Sequence, residues 1–198
     1  VPDYVPEWRP AKGGFRDSPE WGSAAMLLPW LDYQWYGDRR ILERSLPMTA
    51  RYSDYLAGKS EGGILTHGLG DWYDIGPGAP GPSKLTPKGV TATAIYYQDL
   101  TVLAQITQIL GKREESRRYA QQAEGVRTAY LARFREARSQ TWAAMPLVAG
   151  LAPAEDRAGL LDWLVQDVRR HGNHPTAGDV GHRYLLRALL DGGRSDVV

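Results

Sequence analysis

The chain contains no cysteine, so it can form neither a disulfide framework nor a thiolate metal site. It also lacks an excess of charge, because 24 basic residues stand against 23 acidic ones and the net charge is +1. The electrostatic field of a chain with so little net charge is too weak to attract nucleic acid or an anionic membrane surface. No apolar run approaches the roughly 20 residues that span a bilayer. We therefore expect neither a nucleic-acid partner nor a membrane partner.

No segment alternates apolar and polar residues as a half-buried strand does. Apolar residues instead recur at helical spacing, and the fold class predicted from this pattern is all-α. The start at Val1 without an initiator methionine and the end at Val198 favour residues 1–198 being a fragment of a single domain. The helices are predicted at 23–36, 38–56, 90–110, 112–134, 141–149 and 153–170, with a last one beginning after residue 181.

The connections between these helices alternate in length. Short turns are predicted at Gly37, at Gly111 and at 150–153, and short connections make antiparallel neighbours. Each helical hairpin then returns the chain to the end that it left. The long loops should therefore meet at one end of the molecule, as in a partial (α/α)6 barrel, or α/α toroid. These loops are 13–22, 58–89, 135–140 and 171–181.

Tryptophan and tyrosine dominate the aromatic residues, with seven and eleven copies against two phenylalanines. Flat rings with a polar edge fill cores and also line wet sites, where the apolar C–H faces of a sugar can stack on them. Trp21 and Trp72 each lie beside a candidate carboxylate, so either can be a sugar platform or a core side chain. Trp142 opens a helix at the loop end and allows both interpretations.

Two loops carry paired carboxylates: Asp17 and Glu20 in the first, Asp71 and Asp74 in the second. Cleavage of a glycosidic bond needs one carboxyl group as proton donor and another as base or nucleophile. Each residue also has a structural alternative. Asp17 can cap a helix, Glu20 can pair with Arg16, and Asp71 and Asp74 can accept hydrogen bonds from loop amides.

The four histidines match no zinc spacing, so we expect no metal. His67 and His174 suit hydrogen bonding or proton transfer better. The glycines at 68 and 70 follow no strand, which argues against a phosphate-binding loop. No cofactor is predicted.

Three stretches, in chain order, together resemble the catalytic domain of bacterial α-L-rhamnosidases of glycoside hydrolase family 78. They are Asp-Ser-Pro-Glu-Trp-Gly-Ser-Ala at 17–24, Gly-Asp-Trp at 70–72 followed by Leu-Thr-Pro-Lys at 85–88, and Gly-Asn-His-Pro-Thr-Ala-Gly-Asp-Val-Gly at 172–181. The resemblance implies an (α/α)6 barrel and inverting hydrolysis of terminal α-L-rhamnosyl residues. It also implies a glutamic acid as proton donor in the first motif and a glutamate base beyond Val198.

Carried onto this sequence, the resemblance makes Glu20 the favoured acid and Asp17 a ligand of sugar hydroxyls, and it places Asp71 in the pocket. These three carboxylates are the predicted catalytic residues. With the base elsewhere, the fragment alone should be inactive, and its partners are a rhamnoside and the remainder of its own domain. The compartment stays open among cytoplasm, periplasm and the exterior of a bacterium. The predicted substrate-binding residues are Arg16, Trp21, His67, Trp72, Asp74, Trp142, His174, Thr176 and Asp179.

Two other functions remain open at this stage. A sugar isomerase or polysaccharide lyase on the same toroid would abstract a proton from carbon and would depend on His67 or His174. A noncatalytic carbohydrate-binding helical domain would use the aromatic rings without the carboxylates.

Overall fold

The computed structural model describes residues 15–136 and 138–197. Over these ranges it contains helices and no strand, apart from an isolated bridge between Glu61 and Ile64. A 3₁₀ turn at Ser195–Val197 follows the last helix. None of the described helices is both long and apolar enough to cross a bilayer. The helices are α1 Pro19–Gly22, α2 Ala24–Tyr36, α3 Arg39–Lys59, α4 Lys88–Ile109, α5 Arg113–Arg133, α6 Gln140–Ala149, α7 Ala154–Arg170 and α8 Gly181–Asp191.

The helices end where the local chemistry predicts. Gly37 closes α2 with a φ of 70°, a conformation that glycine adopts without a Cβ penalty. Asp38 caps α3, since its carboxylate accepts a hydrogen bond from the amide of Arg40 at 2.9 Å. The predicted loop 13–22 is not irregular to its end, because Pro19–Gly22 forms one helical turn. Proline favours this position, since its fixed φ suits the first residues of a helix.

The core is built around α4, most of which is buried. One side of α4 packs with α2, α3 and α5 through side chains such as Leu42, Leu56 and Leu103. Its N-terminal half packs with α6, α7 and α8, where Val90 and Tyr184 are buried together. This central helix thereby joins the hairpins into one body.

The long loops meet at one end, as their connectivity predicts. The hairpins α2–α3, α4–α5 and α6–α7 each turn through a short connection at the other end. Backbone and side-chain hydrogen bonds then join each long loop to at least one other. These are Leu69 N to Ser18 Oγ at 3.0 Å, Thr86 Oγ1 with Ser139 Oγ at 2.7 Å, and Ile75 N to Thr176 O at 3.0 Å.

Candidate active site

A groove of about 360 Å³ opens at the loop end, between α1, α2 and the start of α8. Glu20 and Trp21 of α1 line one side, and Asp179 and Arg183 line the other. Ile95 of α4 and apolar residues of α2 complete the lining. We call this cavity the loop-end groove. It brings together three of the predicted site residues, which are 159 positions apart at most.

Glu20 is half-buried in the wall of the groove. Its two carboxylate oxygens accept hydrogen bonds from Ser18 Oγ and Thr91 Oγ1, each at 2.6 Å. Burial raises the pKa of Glu20, although both hydroxyl donors favour the charged form. The neighbouring loop also packs closely, because a Cβ added at Gly68 would lie 2.8 Å from Glu20 Oε2. A glutamic acid that holds its proton at higher pH is suited to protonate a leaving group.

Asp17 lies on the same loop but in a different environment. Its carboxylate accepts a hydrogen bond from Tyr55 Oη at 2.6 Å, with His67 Nε2 at 3.4 Å and Lys59 Nζ at 3.5 Å. Burial alone would raise the pKa of Asp17, but the Tyr55 bond and the two basic groups outweigh it, so the pKa is lowered. Ser18, not Asp17, occupies the N-cap position of α1.

Asp71 is fully buried beneath the loops. Its carboxylate accepts hydrogen bonds from the hydroxyl of Thr141 and from the amides of Gly178 at 2.9 Å and Gly181 at 2.7 Å. Burial raises the pKa of Asp71 despite these three donors. These contacts match the structural alternative, in which the carboxylate joins the second loop to α6 and to the last loop.

Asp74 organises its own loop in a similar way. It accepts hydrogen bonds from Ser83 Oγ at 2.9 Å and from three consecutive amides, those of Lys84, Leu85 and Thr86, at 2.7 to 3.0 Å. The carboxylate thus closes the glycine- and proline-rich segment between residues 74 and 86, and it is itself buried.

Trp72 lies between two aromatic rings and next to the groove. Its ring centroid is 5.0 Å from that of Phe15 and 4.9 Å from that of Tyr73, in edge-to-face contacts. Its carbonyl oxygen accepts a hydrogen bond from the amide of Asp179 at 2.7 Å. The tryptophan of the second motif is therefore joined to the groove wall through its backbone.

The remaining predicted residues occupy varied positions. Thr176 is buried and its amide donates to Gln140 Oε1 at 2.7 Å, whereas the side chains of Arg16 and His174 are exposed. Trp142 does not line the loop-end groove. Its indole donates to Phe134 O at 3.1 Å and lines a separate cavity between α5, α6 and α7.

One buried carboxylate was not predicted from the sequence. Asp99, in the middle of α4, is completely buried and accepts a hydrogen bond from Ser23 Oγ. Its other oxygen has no hydrogen-bond partner among the described residues, and burial raises the pKa of Asp99 well above its usual range. Ser23 joins α1 to α2, so Asp99 supports the segment that carries Glu20 and Trp21. The available signal was an aspartate among the apolar residues of the longest described helix.

Antiparallel helical hairpins whose long loops meet around a groove, with a carboxyl group and an indole in its wall, have the arrangement of an α/α toroid, a fold class that includes glycosidases. Comparison with known proteins then identifies the family. The model of the bacterial alpha-L-rhamnosidase six-hairpin glycosidase domain matches residues 1–198, and the chain belongs to this family.

Individual relatives agree with this assignment. The chain is 32% identical over 184 residues to an alpha-L-rhamnosidase of Streptomyces avermitilis, covering 89% of this chain and 17% of that protein. The structure of an alpha-L-rhamnosidase from Dictyoglumus thermophilum superposes with a TM-score of 0.86 at 27% identity, over 92% of this chain and 22% of that one. The S. avermitilis enzyme complexed with L-rhamnose gives a TM-score of 0.81 at 29% identity, over 95% and 18%. The chain therefore spans about a fifth of the length of these relatives.

Proposed function

We propose that this chain is part of the catalytic domain of a glycoside hydrolase that cleaves terminal α-L-rhamnosyl residues. The observation that carries the proposal is the loop-end groove, where Glu20 and Trp21 face Asp179 in a chain that matches the family model throughout. A related structure that is complexed with L-rhamnose supports this sugar as the ligand.

Glu20 is proposed as the proton donor. Of the three carboxylates predicted to be catalytic, it alone lines the groove and has a raised pKa. Asp71 is instead saturated by hydrogen bonds from the chain. Asp17 keeps its charge because its pKa is lowered. An ionised carboxylate of this kind binds sugar hydroxyls and does not protonate a leaving oxygen.

The other groups divide into sugar ligands and loop supports. Trp21 and Trp72 offer rings for the C–H faces of the sugar, and Asp179 and His67 provide polar groups at the rim. Inversion also needs a carboxylate that activates water from the opposite face of the sugar. That base, and the remaining wall of the pocket, would come from the rest of the catalytic domain, because this chain is about a fifth as long as its relatives.

The proposal is tested in the full-length protein with Glu20→Gln. We expect kcat/KM for an alkyl rhamnoside to fall about 10²- to 10⁴-fold, the usual loss when general acid catalysis is removed. The fall in kcat/KM should be smaller for a 4-nitrophenyl rhamnoside, because its leaving group departs without protonation. The pH profile provides a second measurement. Wild-type activity should decline as the pH rises through the raised pKa of Glu20, since only the protonated form donates, and this limb should vanish in the variant.

Glu43→Gln is the matched control, because Glu43 is exposed in the second turn of α3 and does not line the groove. This variant should leave kcat/KM for both substrates, and the pH profile of activity, unchanged. Activity of Glu20→Gln within about threefold of wild type on the alkyl rhamnoside would exclude Glu20 as the acid. A wild-type protein that cleaves no rhamnoside would refute the proposed function itself.

A further inference from the structure

An aromatic cluster is joined to the wall of the loop-end groove through the backbone, and the roles proposed above do not explain why two of its three rings are exposed. It consists of Phe15, Trp72 and Tyr73, and we call it the aromatic rim. Phe15 is 42% exposed and Tyr73 is 50% exposed. Both rings meet Trp72 edge to face, at interplanar angles of 75°. The three rings therefore form one continuous apolar surface that is open to solvent.

The backbone holds Tyr73 in a conformation that most side chains avoid. Its φ is 62°, and among the described residues only Asn173 shares a positive φ without being glycine. Such a conformation costs a residue with a Cβ free energy, and it persists only where the surroundings impose it. Here the amide of Tyr73 donates to Gly81 O at 2.9 Å, and the amide of Asp74 donates to Asp71 O at 3.0 Å. Burial does not compensate this strain, because half of Tyr73 remains in solvent.

The rim is fixed relative to the groove. The carbonyl of Trp72 accepts the amide of Asp179, a residue that lines the groove. A Cβ added at Gly178 would lie 2.2 Å from that carbonyl oxygen, so the two segments are in direct backbone contact. Phe15 lies on the loop that carries Glu20. None of the three rings is part of the groove lining. Phe15 and Tyr73, on either side of the proposed sugar platform Trp72, are therefore available to the group that is attached to that sugar.

We infer that the aromatic rim, with Tyr73 and Phe15 as its specificity-determining residues, binds the leaving group of the glycoside. The rim carries no charge, so it suits a neutral ring, either a pyranose with an apolar C–H face or a planar aryl group. The strained backbone at Tyr73 keeps the phenol ring against Trp72 and accessible to such a ring. This inference rests on the proposed function, because it assigns the second half of the same substrate.

The test compares two substrates with leaving groups of similar basicity in the full-length enzyme. Methyl α-L-rhamnopyranoside has no ring in its leaving group, whereas an α-L-rhamnosyl glucoside has one. Tyr73→Asn removes the phenol but suits a positive φ, because asparagine adopts it readily. We expect KM for the disaccharide to rise roughly three- to tenfold, the value of one lost ring contact, while KM for the methyl glycoside stays within about twofold.

Two further variants sharpen the comparison. Tyr73→Phe keeps the ring and should restore the wild-type KM for the disaccharide. Tyr36 lies at the opposite end of the molecule and is also highly exposed, so Tyr36→Asn should change KM for neither substrate.

An equal rise for both substrates in Tyr73→Asn would overturn the inference, since it would mean that Tyr73 supports the whole site. A lowered melting temperature with unchanged KM values would also overturn it, because another segment of the protein would then cover the rim. If wild-type enzyme cleaves neither glycoside, the proposed function fails and the leaving-group assignment fails with it. If Tyr73→Asn cleaves both glycosides and the ratio of their KM values equals that of wild type, only the leaving-group assignment is refuted.

Discussion

Four carboxylates in two neighbouring loops differ in chemistry because different donors face them. Burial raises the pKa of Glu20, because its two neutral hydroxyl donors do not offset the loss of solvent. Asp17 meets a tyrosine, a histidine and a lysine, so its pKa falls. Asp71 and Asp74 bind backbone amides of the loops. Residue type alone therefore does not identify the catalytic group, whereas the set of donors around each carboxylate separates candidate acid, sugar ligand and loop support.

The buried carboxyl group of Asp99 should make the stability of the fold depend on pH. Its folded pKa is raised well above its usual value, which is about 3.9 in an unfolded chain. The folded state binds this proton more tightly than the unfolded chain does, so the contribution of Asp99 to stability is greatest below its unfolded pKa and is lost as the pH rises through its folded pKa. Asp99→Asn cannot ionise. We expect urea unfolding to show a smaller loss of stability between pH 4 and pH 8 for the variant than for wild type.

Two other variants separate charge from packing at this position. Asp99→Ala removes the partner of Ser23 and leaves a void, which should lower the free energy of unfolding by roughly 1–3 kcal/mol at pH 4, where Asp99 is protonated, and by less at pH 8. Asp32→Asn changes an exposed carboxylate on α2 and should have no pH-dependent effect. If Asp99→Asn retained the full pH dependence of wild type, Asp99 would not be the group responsible.

At the scale of elements, close backbone approach at α8 positions the last loop. A Cβ added at Gly181, the first residue of α8, would lie 1.9 Å from Thr141 Oγ1 and 2.7 Å from Asp71 Oδ2. Gly181→Ala should therefore separate α8 from α6 and weaken the hydrogen bonds to Asp71. We expect a loss of about 1–3 kcal/mol in the free energy of unfolding, as for other overpacked sites.

Gly125→Ala is the matched comparison within the same fold. Gly125 lies inside α5, and an added Cβ would meet nothing within 4 Å. This change should raise stability by about 0.5–1 kcal/mol, because alanine loses less backbone entropy in a helix. Thermal and urea unfolding of both variants measure the contrast. Equal effects of the two substitutions would show that the approach at Gly181 has no structural importance.

For the whole molecule, connectivity was the most informative property of the sequence. Short turns at Gly37 and Gly111 and the length of the loop 58–89 were enough to predict that the long loops meet at one end, and hydrogen bonds between loops confirm this. Helical periodicity also placed every described α-helix except α1 within a few residues of its observed bounds. Both properties depend on local sequence, through turn chemistry and the repeat of apolar residues.

Contacts between distant segments could not be predicted in this way. The partners of Asp71 are 70 to 110 positions away, and the bond between Ser23 and Asp99 joins residues 76 positions apart. The direction of the Trp142 side chain was likewise not predictable, because a residue at the start of a helix can face either of the neighbouring helices. Such details depend on how helices pack, which a single sequence records only indirectly.

The exposed face of α2 bears on how the chain sits in the whole protein. Leu28, Leu31 and Trp35 share one side of the helix, and Trp35 is 79% exposed. The leucines line the groove, but Trp35 does not. Since the relatives are about five times longer, we expect another part of the six-hairpin domain to cover Trp35.

Trp35→Ser in the full-length protein tests this expectation. A buried tryptophan should cost roughly 2–4 kcal/mol when replaced, because its apolar area returns to water and a cavity remains. Gln34→Ser, on the adjacent side of the same helix, controls for the change in helix propensity. Thermal unfolding and Trp35 fluorescence measure the two effects. A change within about 0.5 kcal/mol, typical of open surface, would show that α2 faces solvent in the complete protein.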